Sequence, residues 1–323
     1  MAWFQKNRLP RTRVGVVVSS NLVVIAHVEN REGAPHLLNC RSAPIDSEES
    51  APRVLSRLVK DLALEGKPCN FVLAAQDYQL HLIEAPEVEE SELRAAARWK
   101  VKDLLDMKPE EVVIDFFRVP QQAYRGREMV YVVAVARTRI LALVSMLEES
   151  GLVVDSIDIP ELALRNLASQ FIGDANGVAF MDLRSSGSMM NITRSGDLYL
   201  SRRINSKLDS NIMQSPNWDA TKARLVIEIQ RSLDYYENQM GLPPISTLVL
   251  VQRRSDGVAL ANTLSELLTT RVEVLDLEEW LSSDIRLPPE LQQLASLAIA
   301  ATLRNYPAAS EVSDSEEKAG VAA

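Results

Sequence analysis

GVAFMDLRSSGSMMNITRSGDLYLSRRI, Gly177 to Ile204, reads as three strands joined by two turns. An apolar run over 178–183 carries Asp182, Arg184-Ser185-Ser186-Gly187-Ser188 forms a polar elbow, and a second strand covers 189–193. Ser195-Gly196-Asp197 then turns the chain into a third strand over 198–204. A buried strand delivering a carboxylate into a Ser/Gly turn is the build of anion-binding loops, because such a turn aims several backbone N–H groups at one anion. Nearer the N-terminus, 14–39 repeats the pattern: an apolar strand over 14–18, a Ser19-Ser20-Asn21 elbow, a strand over 22–29, a Glu32-Gly33 turn and a strand around 36–38. Two copies of one β-meander predict a duplicated α/β architecture.

The length, 323 residues, suffices for two or more packed domains. With 35 cations against 44 acids the net charge is −9, which argues against a nucleic-acid face, since phosphate binding needs clustered Lys and Arg. Cys40 and Cys69 have neither metal nor redox spacing, and one candidate pair is no disulfide framework, so a reduced, cytoplasmic setting fits. The most apolar long run, 129–147, is broken by Arg137 and Arg139 and does not span a membrane. Residues 1–13 lack a signal-peptide core but combine Trp3 and Phe4 with four cations and no acid. Two readings stay open there: an unstructured basic leader, or a contact with an anionic membrane surface, each cation adding about 1 kcal/mol.

Between the meanders the apolar periodicity predicts a helix over 51–64 and strands over 70–75 and 78–83. A block over 86–159 follows, in the order α-β-β-α-β. Glu87, Glu89, Glu90 and Glu92 crowd the start of its first helix, where the dipole favours anions, and Leu93, Ala97, Val101, Leu104 and Leu105 form the stripe. Trp99 lies off that stripe, and so covers either a neighbouring domain or a partner peptide. The block's strands fall at 111–118, 129–136 and 152–157, with a helix over 138–150. Helices are then expected over 161–171, with Leu162, Ala163, Leu167 and Phe171 inward, and over 221–240. A β-α-β unit over 247–275 and an Ala-rich helix over 291–303 complete the fold, and the polar residues from Ala308 on read as a disordered tail.

His27, His36 and His81 sit in strand contexts without ligand spacing, and no P-loop, G-x-S-x-G or G-x-G-x-x-G pattern occurs. Neither a metal site nor a catalytic residue is expected.

Taken together, the two meanders, AAARWKVKDLLDMKPEEVVIDF (95–116), LVVDSIDIPELALRNL (152–167) and LVIEIQRSLDYYENQMGLPPISTLVL (225–250) resemble the PilM/FtsA branch of the actin-like family, over about 13–303. The resemblance implies an actin-like (ribonuclease H-like) duplicated fold with an inserted 1C-type subdomain and a reduced 2B subdomain. The layout expected is a basic leader 1–13, subdomain 1A over 14–77, inserted 1C over 78–159 and a helix returning to 1A over 160–175. Subdomain 2A with a short 2B over 176–286, a C-terminal helix over 287–307 and the acidic tail 308–323 follow.

The same resemblance implies a cytoplasmic protein, peripheral at the inner membrane, that docks the N-terminal tail of a PilN-like bitopic protein and connects it to other pilus platform or motor proteins. The groove residues expected are Tyr78, Leu80 and Leu82, with Trp99 nearby. Relatives bind ATP, and the nucleotide loops would be Ser19, Ser20, Asp182, Ser185 and Ser186. Those loops depart from the family pattern. The family's Asp-x-Gly-Ser elbow and following Lys become Val17-Val18-Ser19-Ser20 and Val24, Asp-x-Gly becomes Asp182-Leu183-Arg184, and a Gly-Gly pair becomes Gln252-Arg253-Arg254. Asp holds the Mg²⁺ shell, Lys neutralises phosphate, and glycine allows close backbone approach, so losing them together predicts a non-catalytic scaffold with degenerate nucleotide loops. Two alternatives stand beside it, an actin-like ATPase whose nucleotide state regulates pilus assembly and a GspL-like type II secretion platform component.

Overall fold

The computed structural model describes residues 11–46, 49–171, 176–184, 187–204, 208, 212–251 and 256–306. From the N-terminus come β1 (Thr12–Val18), β2 (Leu22–Arg31), β3 (Ala34–Pro44), α1 (Ala51–Asp61) and β4 (Pro68–Val72). There follow β5 (Tyr78–Glu84), α2 (Glu90–Val101), β6 (Val112–Arg118), β7 (Met129–Ala136) and α3 (Arg137–Glu149). Next are β8 (Val153–Asp158), α4 (Pro160–Phe171), β9 (Val178–Asp182), β10 (Ser188–Arg194) and β11 (Asp197–Ile204). The last group is α5 (Trp218–Asp234), β12 (Thr247–Leu250), α6 (Gly257–Ser265), β13 (Arg271–Val274), α7 (Leu277–Trp280), β14 (Ser282–Ser283) and α8 (Pro289–Thr302). The chain divides into two compact units, Met1–Val72 with Leu147–Gly173 and Asp276–Ala323, and Leu73–Met146 with Asp174–Leu275.

The first unit is built on a six-stranded sheet in the order β14-β3-β2-β1-β4-β8. β1, β2 and β3 form the antiparallel meander, and β4 and β8 continue in parallel beside β1. Helix α8 packs on β1, β2 and β4. It lies so close that a Cβ on Gly15 would fall 1.8 Å from the Ala298 carbonyl oxygen. A helix end leaves its last carbonyls without intrahelical partners and carries partial negative charge. Here Asn70 Nδ2 donates to Ala301 O at 2.7 Å, and the Arg13 guanidinium donates to Thr302 O at 3.4 Å and to Arg304 O. Arg304 in turn pairs with buried Asp158 at 3.0 Å. The buried amide of Gln292 ties α8 to the preceding loop: its Oε1 accepts from Leu277 N–H, and its Nε2 donates to Asp276 Oδ1 and Leu287 O, each at 2.8 Å. Cys40 and Cys69 are free and buried, and burial pushes the Cys40 thiol up to about 12 and Cys69 up as well, which leaves neither reactive.

The short edge strand β14 is clasped by His36. Its Nδ1 lies 2.7 Å from Ser282 Oγ and its Nε2 2.8 Å from Asp284 Oδ1, while Arg31 reaches the other carboxylate oxygen at 3.4 Å. The hydrogen bond with His36, reinforced by Arg31, holds the Asp284 carboxyl below its ordinary range. A lowered carboxyl stabilises the fold above its unfolded value near about 4, and that contribution is lost as pH falls through the lowered folded value. Acidification below about 4 is therefore expected to loosen β14 ahead of its sheet, with the step absent in Asp284→Asn. Hydrogen exchange at the Asp284 amide, which donates to Leu37 O at 2.9 Å, reads the effect.

The second unit contains a five-stranded sheet in the order β11-β10-β9-β12-β13. An antiparallel meander is again followed by two parallel strands beside its first member, so each unit repeats one topology and the duplication read from the meanders is present. β9 is central, and all five of its residues are buried. A separate antiparallel sheet, β5-β7-β6, has α2 on one face, where Ala97 and Val101 pack with Ile83, Val130, Val132 and Ala134. Its other face carries Leu80, Leu82, Phe117 and Tyr131 into the core that also holds Tyr199, Leu200 and Ile204. Two hydrogen bonds fix this packing: Ser201 N–H donates to the Tyr131 hydroxyl at 3.1 Å, and Gln122 Nε2 donates to the Tyr199 hydroxyl at 2.7 Å.

Several elements differ from the sequence reading. The strand expected to close the inserted block, β8, pairs in parallel with β4 in the first unit and not with β5-β7-β6. Helix α2 ends at Val101 and tightens into a 3₁₀ turn over Lys102–Leu104, so Leu104, placed on the core stripe, is 52% exposed. On α4 it is Leu164 and not Leu162 that is fully buried. The long helix starts at Trp218 and changes at Tyr235–Gln239 to a π turn. Between β6 and β7, Gln121–Tyr124 forms a 3₁₀ turn that buries Ala123 and Tyr124. Among the described residues no helix is long and apolar enough to cross a membrane; of the leader expected over 1–13, Thr12 and Arg13 belong to β1, and residues 1–10 lie outside the described residues, as does the tail 308–323.

Candidate functional site

Strand β9 presents Asp182 at its buried C-terminal end, paired in register with Met189 of β10. Two residues on, Arg184 turns back, and its Nε lies 2.9 and 2.7 Å from the two carboxylate oxygens. The pair is largely shielded, with side-chain exposures of 7% for Asp182 and 22% for Arg184. At the third position of Asp182-Leu183-Arg184 this chain thus carries a cation that occupies the Asp182 carboxylate. Gly187 closes the elbow, its N–H donating to Arg184 O at 3.3 Å with φ at +142°, a conformation that favours glycine. Ser185 and Ser186 lie outside the described residues, as do Gln252, Arg253 and Arg254.

In the other unit, Ser19 and Ser20 stand exposed at the tip of the β1–β2 hairpin. The Ser19 N–H donates to Leu22 O at 2.9 Å, closing the turn, and its hydroxyl lies 3.1 Å from Asn21 Oδ1 and 3.3 Å from Leu22 O. One amide and one hydroxyl that an anion would need are engaged within the turn. Val24, where the family's Lys would stand, is buried and supplies no charge. Among the described residues, one loop has its carboxylate paired with arginine, and the other has neither carboxylate nor cation. Among the described residues no group of three or more His, Cys, Asp and Glu side chains is arranged to hold a metal ion.

The residues expected to line a partner groove do not form one surface. Leu80 and Leu82 face the core of the second unit, and Tyr78 is 5% exposed, with the Arg203 guanidinium 5.5 Å from its ring centroid. Arg203 also donates to Ala75 O at 2.9 Å, which fixes that stack. Trp99 belongs to α2, on the opposite face of the three-stranded sheet, and points outward with 69% exposure. Alternation along β5 accounts for the separation: residues 78, 80 and 82 share one face, whereas Ile83 meets α2 from the other.

A concavity of about 710 Å³ opens at the N-terminal end of α2. Glu84, Glu87, Glu89, Glu92 and Glu128 line it, with Arg118 and Arg127 among them. Arg118 bridges Glu90 and, at 3.1 Å, Glu128. Helix-start charge explains Glu90 and Glu92, but the gathering of Glu84 and Glu128 with them follows from the β5–β7 pairing, where Glu84 opposes Met129. The run of glutamates from 84 to 92 is the sequence signal for it.

No known family's sequence profile matches the chain, and no curated protein matches it. Solved structures do. A PilM–PilN type IV pilus biogenesis complex is similar over 91% of this chain and 99% of that chain, with a TM-score of 0.68 at 20% identity. The cytoplasmic domain of EpsL, an inner-membrane component of the type II secretion system of Vibrio cholerae, is similar over 88% and 94%, with a TM-score of 0.50 at 13% identity. A Bacteroides thetaiotaomicron protein of unknown function with an actin-like ATPase fold gives 86% and 97%, a TM-score of 0.50 and 12% identity. At these identities the likeness is one of fold, and the fold of this chain is actin-like.

Proposed function

We propose that the protein is a scaffold component of a type IV pilus assembly platform, working by binding and not by ATP hydrolysis. In this reading it is cytoplasmic, sits peripherally at the inner membrane, and holds the cytoplasmic N-terminal tail of a PilN-like membrane protein. Likeness to a PilM–PilN complex along nearly the whole of both chains supports the platform role. The MSHA-type pilus, and a protein of the MshI kind, is the finer reading, resting on the sequence resemblance alone. The subdomain layout 1A, inserted 1C and 2A with a short 2B belongs to the same reading.

The observation that carries the non-catalytic part is the Asp182–Arg184 pair, which neutralises the carboxylate where the fold's ATPases need it for Mg²⁺. Three measurements test the proposal. Thermal denaturation with saturating Mg–ATP is expected to show no shift, whereas a ligand at about 100 times its Kd would add about 2.7 kcal/mol. Hydrolysis abolished by Asp182→Ala would overturn the reading in favour of a regulatory ATPase. Calorimetric titration with the N-terminal tail peptide of the PilN-like protein is expected to show saturable binding; its absence would remove that partner. The likeness to EpsL favours, as second reading, a secretion platform protein of the GspL kind, and titration with a secretion-system tail peptide separates the two.

A further inference from the structure

Three side chains of nucleophile, base and acid type meet at the edge of the first unit's sheet. β14 pairs in parallel with β3, Ser282 opposite His36, which puts these two side chains on one face. Ser282 Oγ lies 2.7 Å from His36 Nδ1, and Asp284 Oδ1 lies 2.8 Å from His36 Nε2. The imidazole is buried, whereas Ser282 and half of the Asp284 side chain are open to solvent. An ionised carboxylate only accepts hydrogen bonds, so in the neutral ring the proton sits on Nε2 and Nδ1 is left to accept from the Ser282 hydroxyl. Arg31 reaches the second Asp284 oxygen and also pairs with Glu29, the residue opposite His36 on β2, which holds the carboxylate from its far side. The neighbouring Ser283 is a built-in contrast, since its hydroxyl is engaged locally, 2.9 Å from Ile285 O and accepting from the Ile285 N–H at 3.1 Å.

We infer that Ser282 is an activated nucleophile, with His36 as its general base and Asp284 as a positioning residue, and that it takes the acyl group of small activated esters. A serine hydroxyl bonded to a base that a third group orients recurs on unrelated folds and is recognised by these roles. In the step, Ser282 Oγ forms a bond to the ester carbonyl carbon and gives its proton to His36 Nδ1, while Asp284 stays ionised beside the Nε2–H. Collapse of the tetrahedral adduct breaks the bond to the alcohol or phenol, which leaves with the proton from Nδ1, and Ser282 is acylated. A water molecule then gives its proton to Nδ1, attacks the acyl carbon and releases the carboxylic acid, and the Nδ1 proton returns to Ser282. The trio shares no residue with the nucleotide loops and rests on nothing in the platform reading.

The test is incubation of the full-length protein with p-nitrophenyl acetate and, separately, with a fluorophosphonate, the adducts being located by mass spectrometry of its peptides. Wild type is expected to label at Ser282 about a hundredfold faster than at Ser283. Ser282→Ala should abolish that adduct, and His36→Ala should lose it and regain it on addition of imidazole. Asp284→Asn should slow labelling roughly tenfold or more. Nitrogen NMR of the His36 ring should show the Nε2–H tautomer in wild type and a mixture in that variant, and hydrogen exchange at the amide of residue 284 checks that β14 stays paired. A Ser282 adduct no faster than that on Ser283, or a labelling rate unchanged in both Asp284→Asn and His36→Ala, would overturn the proposal and leave the trio as a clasp alone.

Discussion

Gly15→Ala is expected to lower the stability of the first unit by about 3 kcal/mol or more, read as a shift in the urea midpoint followed by circular dichroism. The new methyl carbon would lie 1.8 Å from the Ala298 carbonyl oxygen and 2.9 Å from its carbon. Both atoms are helix backbone, so no side-chain rotation relieves the clash. To make room α8 would have to lift from β1, straining the bonds from Asn70 and Arg13 that hold its C-terminal carbonyls. Gly33→Ala is the matched control. That glycine sits at φ +93° with nothing within 4 Å of the added carbon, so it should lose only the roughly 1 kcal/mol of backbone strain. Equal losses at the two positions would refute the close packing of α8.

Arg184→Ala should cost about 3 kcal/mol, because removing one partner of a shielded pair leaves the other charge buried and uncompensated. Asp182 keeps only 7% of its side chain exposed. Replacing both, as Asp182→Asn/Arg184→Ala, should recover most of the loss, since a neutral amide tolerates the site. A double-mutant cycle by chemical denaturation gives the coupling directly. Mg–ATP should stabilise neither single variant. A thermal shift in Arg184→Ala alone would mean that the arginine is what keeps Asp182 from supporting nucleotide binding.

Short-range patterns carried most of the fold. Alternation and turn residues marked both meanders, and the 3.6-residue stripe of Leu225, Ile229 and Leu233, all buried, marked the long helix. What escaped depends on partners far apart in the chain. Gly15 inside an apolar strand is a signal for close backbone approach, yet nothing local names Ala298 as the neighbour. His36 had no ligand spacing because its partners, Ser282 and Asp284, lie 246 and 248 residues away. β8 was read as the last strand of the block over 86–159 and pairs outside it, in parallel with β4. At the candidate site, the Ser19-Ser20 elbow without an acid and the arginine two residues after Asp182 were legible residue by residue. The Arg184–Asp182 pairing and the split of Tyr78, Leu80 and Leu82 from Trp99 needed the folded sheet.

The seating of α8 on β1 also dictates an order of events during synthesis. Arg13 and its acceptor Thr302 are separated by 289 residues, so α8 is synthesised long after the strands it covers. Until then β1, β2 and β4 lack the layer that covers them, whereas the strands and helices of the second unit, which end at Leu275, are already complete. The nascent chain is thus expected to mature from its middle outward, and a stop codon ahead of Pro289 would release a protein with a finished second unit and an aggregation-prone first one.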